Sequence, residues 1–125
     1  NRGANAGDGL LFFGGNGVTK WQFRTYNGTT RNQIASTVDI EPNVWTHLVG
    51  TYDAATDTQR FYVNGAEQGT GLSPTAGYTP NSALPLRLGA FPNDNGDVGG
   101  GSFAGVCRCS RCSRTVSRRG STRPL

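Results

Sequence analysis

The chain has no methionine, one histidine and three cysteines, and no apolar run in it approaches the about 20 residues that a membrane-spanning helix needs. A lone histidine, with no Gly-x-Ser-x-Gly stretch, gives no Ser-His-Asp chemistry a place to start. Only two glutamates occur, Glu41 and Glu67, on different segments. There is no initiator methionine and no basic start leading into an apolar signal core, so Asn1 reads as a cut end. What the chain has in quantity is glycine, 19 in 125 residues, which costs helices most and suits short strands joined by tight turns. One domain with one core is the most this length can bury.

The net charge of +4 is unevenly placed. Residues 106–125 carry six arginines and no acid, whereas residues 1–105 carry six Lys/Arg against eight Asp/Glu. The body is therefore mildly acidic. It lacks the broad basic surface of a nucleic-acid binder, and no nucleic-acid partner is expected for it.

Hydrophobic alternation then locates strands. "LLFFGG" is a short apolar run. In "VTKWQFRTYNG", Trp21, Phe23 and Thr25 share one side and Gln22, Arg24 and Tyr26 the other, the period of a half-buried strand ended by an Asn-Gly turn. "QIASTVDI" is a weaker strand. Val44 to Tyr52 is rich in β-branched and aromatic residues, and Asp53 to Asp57 is a polar loop. Thr58 to Val63 alternates, and Asn64-Gly65 supplies a type I′ turn into a third strand through Ala66 to Gln68. A further strand is expected over Leu84 to Gly89, "FPNDNGDVGGG" reads as a loop, and "SFAG" begins one more strand. No helical period of useful length appears. The fold class is all-β, an antiparallel β-sandwich, because half-buried strands need a second apolar face to cover them.

The order "VWTHLVGTYD", "RFYVNG", "PLRLG", "SFAG" resembles the laminin-G-like branch of the concanavalin A-like lectin/glucanase jelly rolls. The matching positions are Trp45, His47, Tyr52 and Asp53, then Tyr62, Asn64 and Gly65, then Gly89, and finally Phe103 and Gly105. The resemblance implies a jelly roll over residues 1–105 in which these positions are architectural, with Trp45 and Tyr52 in the core or on a sheet face. Members of that group usually begin with earlier strands whose motifs are not in this sequence. The resemblance thus implies an incomplete sandwich, with the meander uncovered and one sheet edge unpaired.

The same resemblance implies a non-catalytic binding module of an extracellular or cell-surface protein, contacting a glycan or a protein alongside other domains of a larger parent chain. A fragment of a glycan-active enzyme is the alternative. Glucanases on this jelly roll place paired carboxylates on one strand as acid and nucleophile, and no Glu-x-Asp-x-x-Glu occurs here. Among candidate ligand positions, Asn93, Asp94, Asn95 and Asp97 gather four oxygen-bearing side chains within five residues. That is a donor set suited to calcium and equally the composition of a turn. Asp8 and Asp53 are further oxygen donors, although Asp53 also suits the opening of its hairpin loop. Tyr26, Tyr78 and Phe91 lie near loops where a ring can stack on the C–H face of a sugar. Asn27-Gly28-Thr29 fits both a glycosylation acceptor and a plain turn.

The C-terminal stretch "GVCRCSRCSRTVSRRG" departs from this pattern. Cys107, Cys109 and Cys112 are one ligand short of a tetrahedral zinc site, and His47 is far away in sequence. Six arginines interleaved with serines suit a disordered nucleic-acid-binding arm. The abrupt end of the β pattern at Gly105 is also what a shift of reading frame near Val106 would produce. Residues 106–125 are thus expected to be disordered or out of frame, which the coding DNA decides.

Overall fold

The computed structural model describes residues 9–15, 17–28, 30–72, 77–80, 90–92 and 98–102. Within them lie eight strands: β1 Gly9–Gly15, β2 Val18–Tyr26, β3 Arg31–Asp39, β4 Leu48–Asp53, β5 Thr58–Val63, β6 Ala66–Leu72, β7 Ala90–Pro92 and β8 Val98–Ser102. They form two three-stranded antiparallel sheets, ordered β1-β2-β3 and β4-β5-β6, with β7 paired to β8. No described residue is helical. The all-β expectation holds, and the meander of β4 to β6 is as read from the alternation of Thr58 to Val63.

The core follows from that alternation. Phe23 of β2 and Phe61 of β5 are 2% and 0% exposed, and their ring centroids lie 6.1 Å apart across the two sheets. Ile34 and Val63 complete the cluster, with Leu10, Trp21 and Leu48 packed against it. Each such aromatic contributes roughly 1.5–3 kcal/mol by leaving water. Phe12, opposite Phe23 on β1, stacks on it at 5.1 Å. The first sheet therefore covers the meander, which corrects the expectation that the covering strands are missing. Edge pairing is one-sided within the described residues: β1, β3, β4 and β6 each have a single neighbour in their sheets.

Glutamines fasten the two inner faces. Gln59, fully buried between Thr58 and Arg60, accepts from Thr25 Oγ1 at 2.8 Å and donates to the Phe23 carbonyl at 3.1 Å. Gln68 of β6 accepts from both the backbone N–H and the hydroxyl of Thr37 on β3, at 2.8 and 3.0 Å. Gly50 of β4 lies against the Phe23 ring so closely that a Cβ there would fall 2.5 Å from it.

Turns follow the sequence at one end and depart from it at the other. Asn64 and Gly65 take φ values of 50° and 84°, as a type I′ turn requires. Strand β4 starts at Leu48, four residues later than the expected Val44. Asn43 is left-handed, with φ 64°, and turns the chain before it enters the ladder. Trp45 consequently lies in the loop ahead of β4 and is 68% exposed, not in the core or on a sheet face as the resemblance implied. Two short strands, β7 and β8, occupy parts of "FPNDNGDVGGG" that read as loop; backbone pairing of Ala90 with Ser102 and Pro92 with Val98 overrides the low strand preference of a glycine run. The expected strand over Leu84 to Gly89, with Gly89 itself, lies outside the described residues, as do Phe103, Gly105 and the tail 106–125.

Candidate functional site

The loop residues Asn93, Asp94, Asn95 and Asp97 fall between β7 and β8 but outside the described residues, as do Asp8 and the side chain of Phe91. Among the described residues, no three or more His, Cys, Asp or Glu side chains stand together to hold a metal. Asp53 does not stand ready as a ligand. Its Oδ1 accepts from the Ala55 N–H at 2.9 Å and its Oδ2 from the Thr56 hydroxyl at 2.8 Å. These two contacts hold its carboxyl below the usual aspartate range. It opens the β4–β5 turn, and Asp57, left-handed at φ 50°, closes it.

Two of the three candidate stacking aromatics, Tyr26 and Tyr78, are committed to contacts within the chain. Tyr26 is 3% exposed, so its ring is out of reach of a sugar, a correction to the expectation; its carbonyl accepts from the Thr79 N–H at 3.1 Å. Tyr78 is half-buried, edge-on to Tyr52 at 5.2 Å, and its N–H donates to the Tyr52 oxygen at 3.3 Å. Burial raises the Tyr78 phenol pKa. The Tyr52 hydroxyl donates in turn to Asp57 Oδ1 at 2.5 Å, which together with burial raises its pKa. Asn27 closes the neighbouring turn by accepting from the Thr30 N–H at 2.9 Å.

His47 is exposed and takes part through its backbone: its N–H donates to Asn64 Oδ1 and its carbonyl accepts from Asn64 N–H, both at 2.8 Å. This locks the entry of β4 onto the β5–β6 turn. An open depression of about 380 Å³ lies beside the β4–β5 turn, lined by Thr51, Tyr52, Asp53, Thr56, Thr58 and Arg60. Its charged groups are already engaged: Asp53 in the turn, and Arg60 with Glu67 at 2.6 Å.

On the face of the first sheet turned away from Phe23, Arg24 lies between Gln22 and Tyr26, which are 8% and 3% exposed. Pairing of β1, β2 and β3 sets Phe13 beside Gln22, and Arg24 opposite Gln33. The Arg24 guanidinium lies 4.4 Å over the Phe13 ring. Its Nε donates to Gln33 Oε1 at 3.0 Å and its Nη2 to Gln22 Oε1. Sequence alternation placed Gln22, Arg24 and Tyr26 on one side, but it did not single out this cluster. The missing signal was the register with β3, which a bulge between Lys20 and Gln22 resets.

Comparison with known proteins supplies one match. The family model Laminin_G_3, described as the concanavalin A-like lectin/glucanases superfamily, matches residues 2–109. No curated protein and no solved structure matches.

Proposed function

Since the chain belongs to the Laminin_G_3 family of concanavalin A-like lectin/glucanase domains, we propose that it is a non-catalytic module that binds a glycan presented outside the cell. The observation that carries this reading is the state of its carboxylates. Hydrolysis on two carboxylates needs one free to protonate a leaving group and one free to attack or to activate water. Among the described residues, Asp39 pairs with Lys20 at 2.9 Å, Glu67 pairs with Arg60, and Asp53 and Asp57 tie the β4–β5 turn. Glu41 stands on the loop after β3, and the acid nearest to it in sequence, Asp39, is the one paired with Lys20.

A rigid sheet framework suits sugar recognition, because planar donors and acceptors match neighbouring hydroxyls while the strands fix their spacing. A calcium ion held by Asn93, Asp94, Asn95 and Asp97 is a second element of the reading, and a protein ligand is its competitor. A glycan array probed with the 125-residue chain, with and without calcium, tests the module. Saturable glycan binding supports it, and an array without a single binder removes it.

A further inference from the structure

We infer that Trp45 is the stacking platform of a site for an uncharged pyranose sugar, built on the loop that leads into β4. The inference rests on the glycan-binding reading above and names both the ligand class and the ring that receives it.

Trp45 is the most exposed large apolar side chain among the described residues, at 68%. Tryptophan is ordinarily well covered, and a ring left in water forgoes a large apolar gain. Other rings are spent inside the chain: Tyr26 is buried, Tyr78 lies edge-on to Tyr52, and the part-exposed Phe12 stacks on Phe23. The loop that carries Trp45 is held at both ends. At its start Pro42 fixes its own φ, and Asn43 takes the left-handed φ of 64°. At its end the His47 N–H donates to Asn64 Oδ1 and the His47 carbonyl accepts from the Asn64 N–H, both at 2.8 Å. Between them the Thr46 hydroxyl donates to the Val44 carbonyl at 3.4 Å. A ring on a loop already ordered in this way meets a ligand with little further loss of freedom.

The residues around the ring select the ligand. A pyranose with equatorial hydroxyls turns its axial C–H bonds to the ring face and its hydroxyls to the rim, so it pairs with an indole that has a polar border. Asn43 and His47 are both exposed and stand two residues either side of Trp45, at most about 7 Å of chain away. They bring an amide and an imidazole to that border. Between Ile40 and His47 the one charged side chain is the acid Glu41, so the loop holds no cation to draw a uronate, a sialate or a sulfate. Pro42 and Val44 are its other exposed apolar residues. Three such side chains fall well short of the about 800 Å² per partner that a stable protein interface buries. One sugar ring is an occupant of the right size.

The test titrates the 125-residue chain with two neutral trisaccharides, cellotriose and β-1,4-galactotriose, and with trigalacturonate, by calorimetry and by tryptophan emission. A neutral trisaccharide is expected to shift the emission to the blue and to protect Trp45 from acrylamide, both saturably. Trp45→Ala, in an exposed loop, is expected to keep the melting temperature and to weaken that binding at least about tenfold. Trp45→Phe, which keeps a smaller ring, is expected to weaken it by about two- to fivefold. His47→Ala leaves both backbone contacts with Asn64 in place and is expected to weaken it by a similar factor. Trigalacturonate is expected to bind at least about fivefold more weakly than the better neutral sugar. Equal binding by wild type and Trp45→Ala, emission unmoved at saturation, or trigalacturonate binding as tightly as the neutral sugars would each overturn the inference. So would a blue shift that grows with protein concentration in the absence of sugar, because a second copy then covers the ring. Binding of neither neutral trisaccharide, with other array glycans bound, would overturn it and leave the module standing, whereas an array with no binder removes both.

Discussion

Gln59 reaches from β5 across the interior of the sandwich and bonds both the hydroxyl of Thr25 and the backbone carbonyl of Phe23. A fully buried amide is tolerated there because both its oxygen and its nitrogen find partners on the opposite sheet. Replacement by leucine keeps the volume and strands two buried polar groups. Gln59→Leu is expected to lower unfolding free energy by about 2 kcal/mol in urea titration. In a double-mutant cycle with Thr25→Ala, the coupling is expected at about 1 kcal/mol. Additive effects would show that the two sheets are not joined at this point.

Gly50 marks a close approach of the two sheets, against the ring of Phe23. A methyl group there would meet three carbons of the Phe23 ring at 2.5–2.8 Å, so the ring must shift. Gly50→Ala is expected to cost roughly 1–3 kcal/mol through overpacking, with part of the loss recovered when Phe23→Leu is added. Thermal melting of the single and double variants checks both.

The two tryptophans report opposite environments. Trp21 packs against the core, whereas Trp45 is 68% exposed. Trp45→Phe is expected to remove the red-shifted, acrylamide-quenchable emission and leave the blue-shifted signal of Trp21. A variant whose remaining emission stays readily quenched would contradict the placement of Trp21.

The Tyr52–Asp57 contact sets an alkaline limit. The pKa of Tyr52 is raised by its hydrogen bond to Asp57 and by burial. The folded value lies above the unfolded one near 10, so the stability from this contact is whole below about pH 10 and is lost as pH rises through the folded value. Absorbance titration of tyrosinate is expected to show a late-ionising phenol that moves earlier in Asp57→Asn. Asparagine suits the left-handed backbone at this position, so the turn is kept.

Much of the architecture was legible because a single face of each strand is buried. Trp21, Phe23 and Thr25 declared the inner side of β2, and Asn64-Gly65 declared its turn through the φ values that only such pairs adopt readily. Gln59 was harder to read: it shares the inward parity of Phe61 and Val63, yet glutamine is ordinarily a surface residue, and its partners lie on a strand 34 and 36 residues away. Trp45 was misread because its strand-like neighbours concealed the left-handed Asn43 that turns the chain aside. The Arg24 cluster needed the β2–β3 register, which no local pattern carries. Tyr26 had the right neighbours for a loop aromatic, yet its ring is buried at the end of β2.

The most direct test of the account is calorimetric titration of the 125-residue chain with the best glycan from the array, followed by mass spectrometry of the recovered sugar. A non-catalytic binding module predicts saturable one-site binding and an intact glycan after prolonged incubation. A new reducing end on the recovered sugar, or no saturable heat with any glycan, would contradict it.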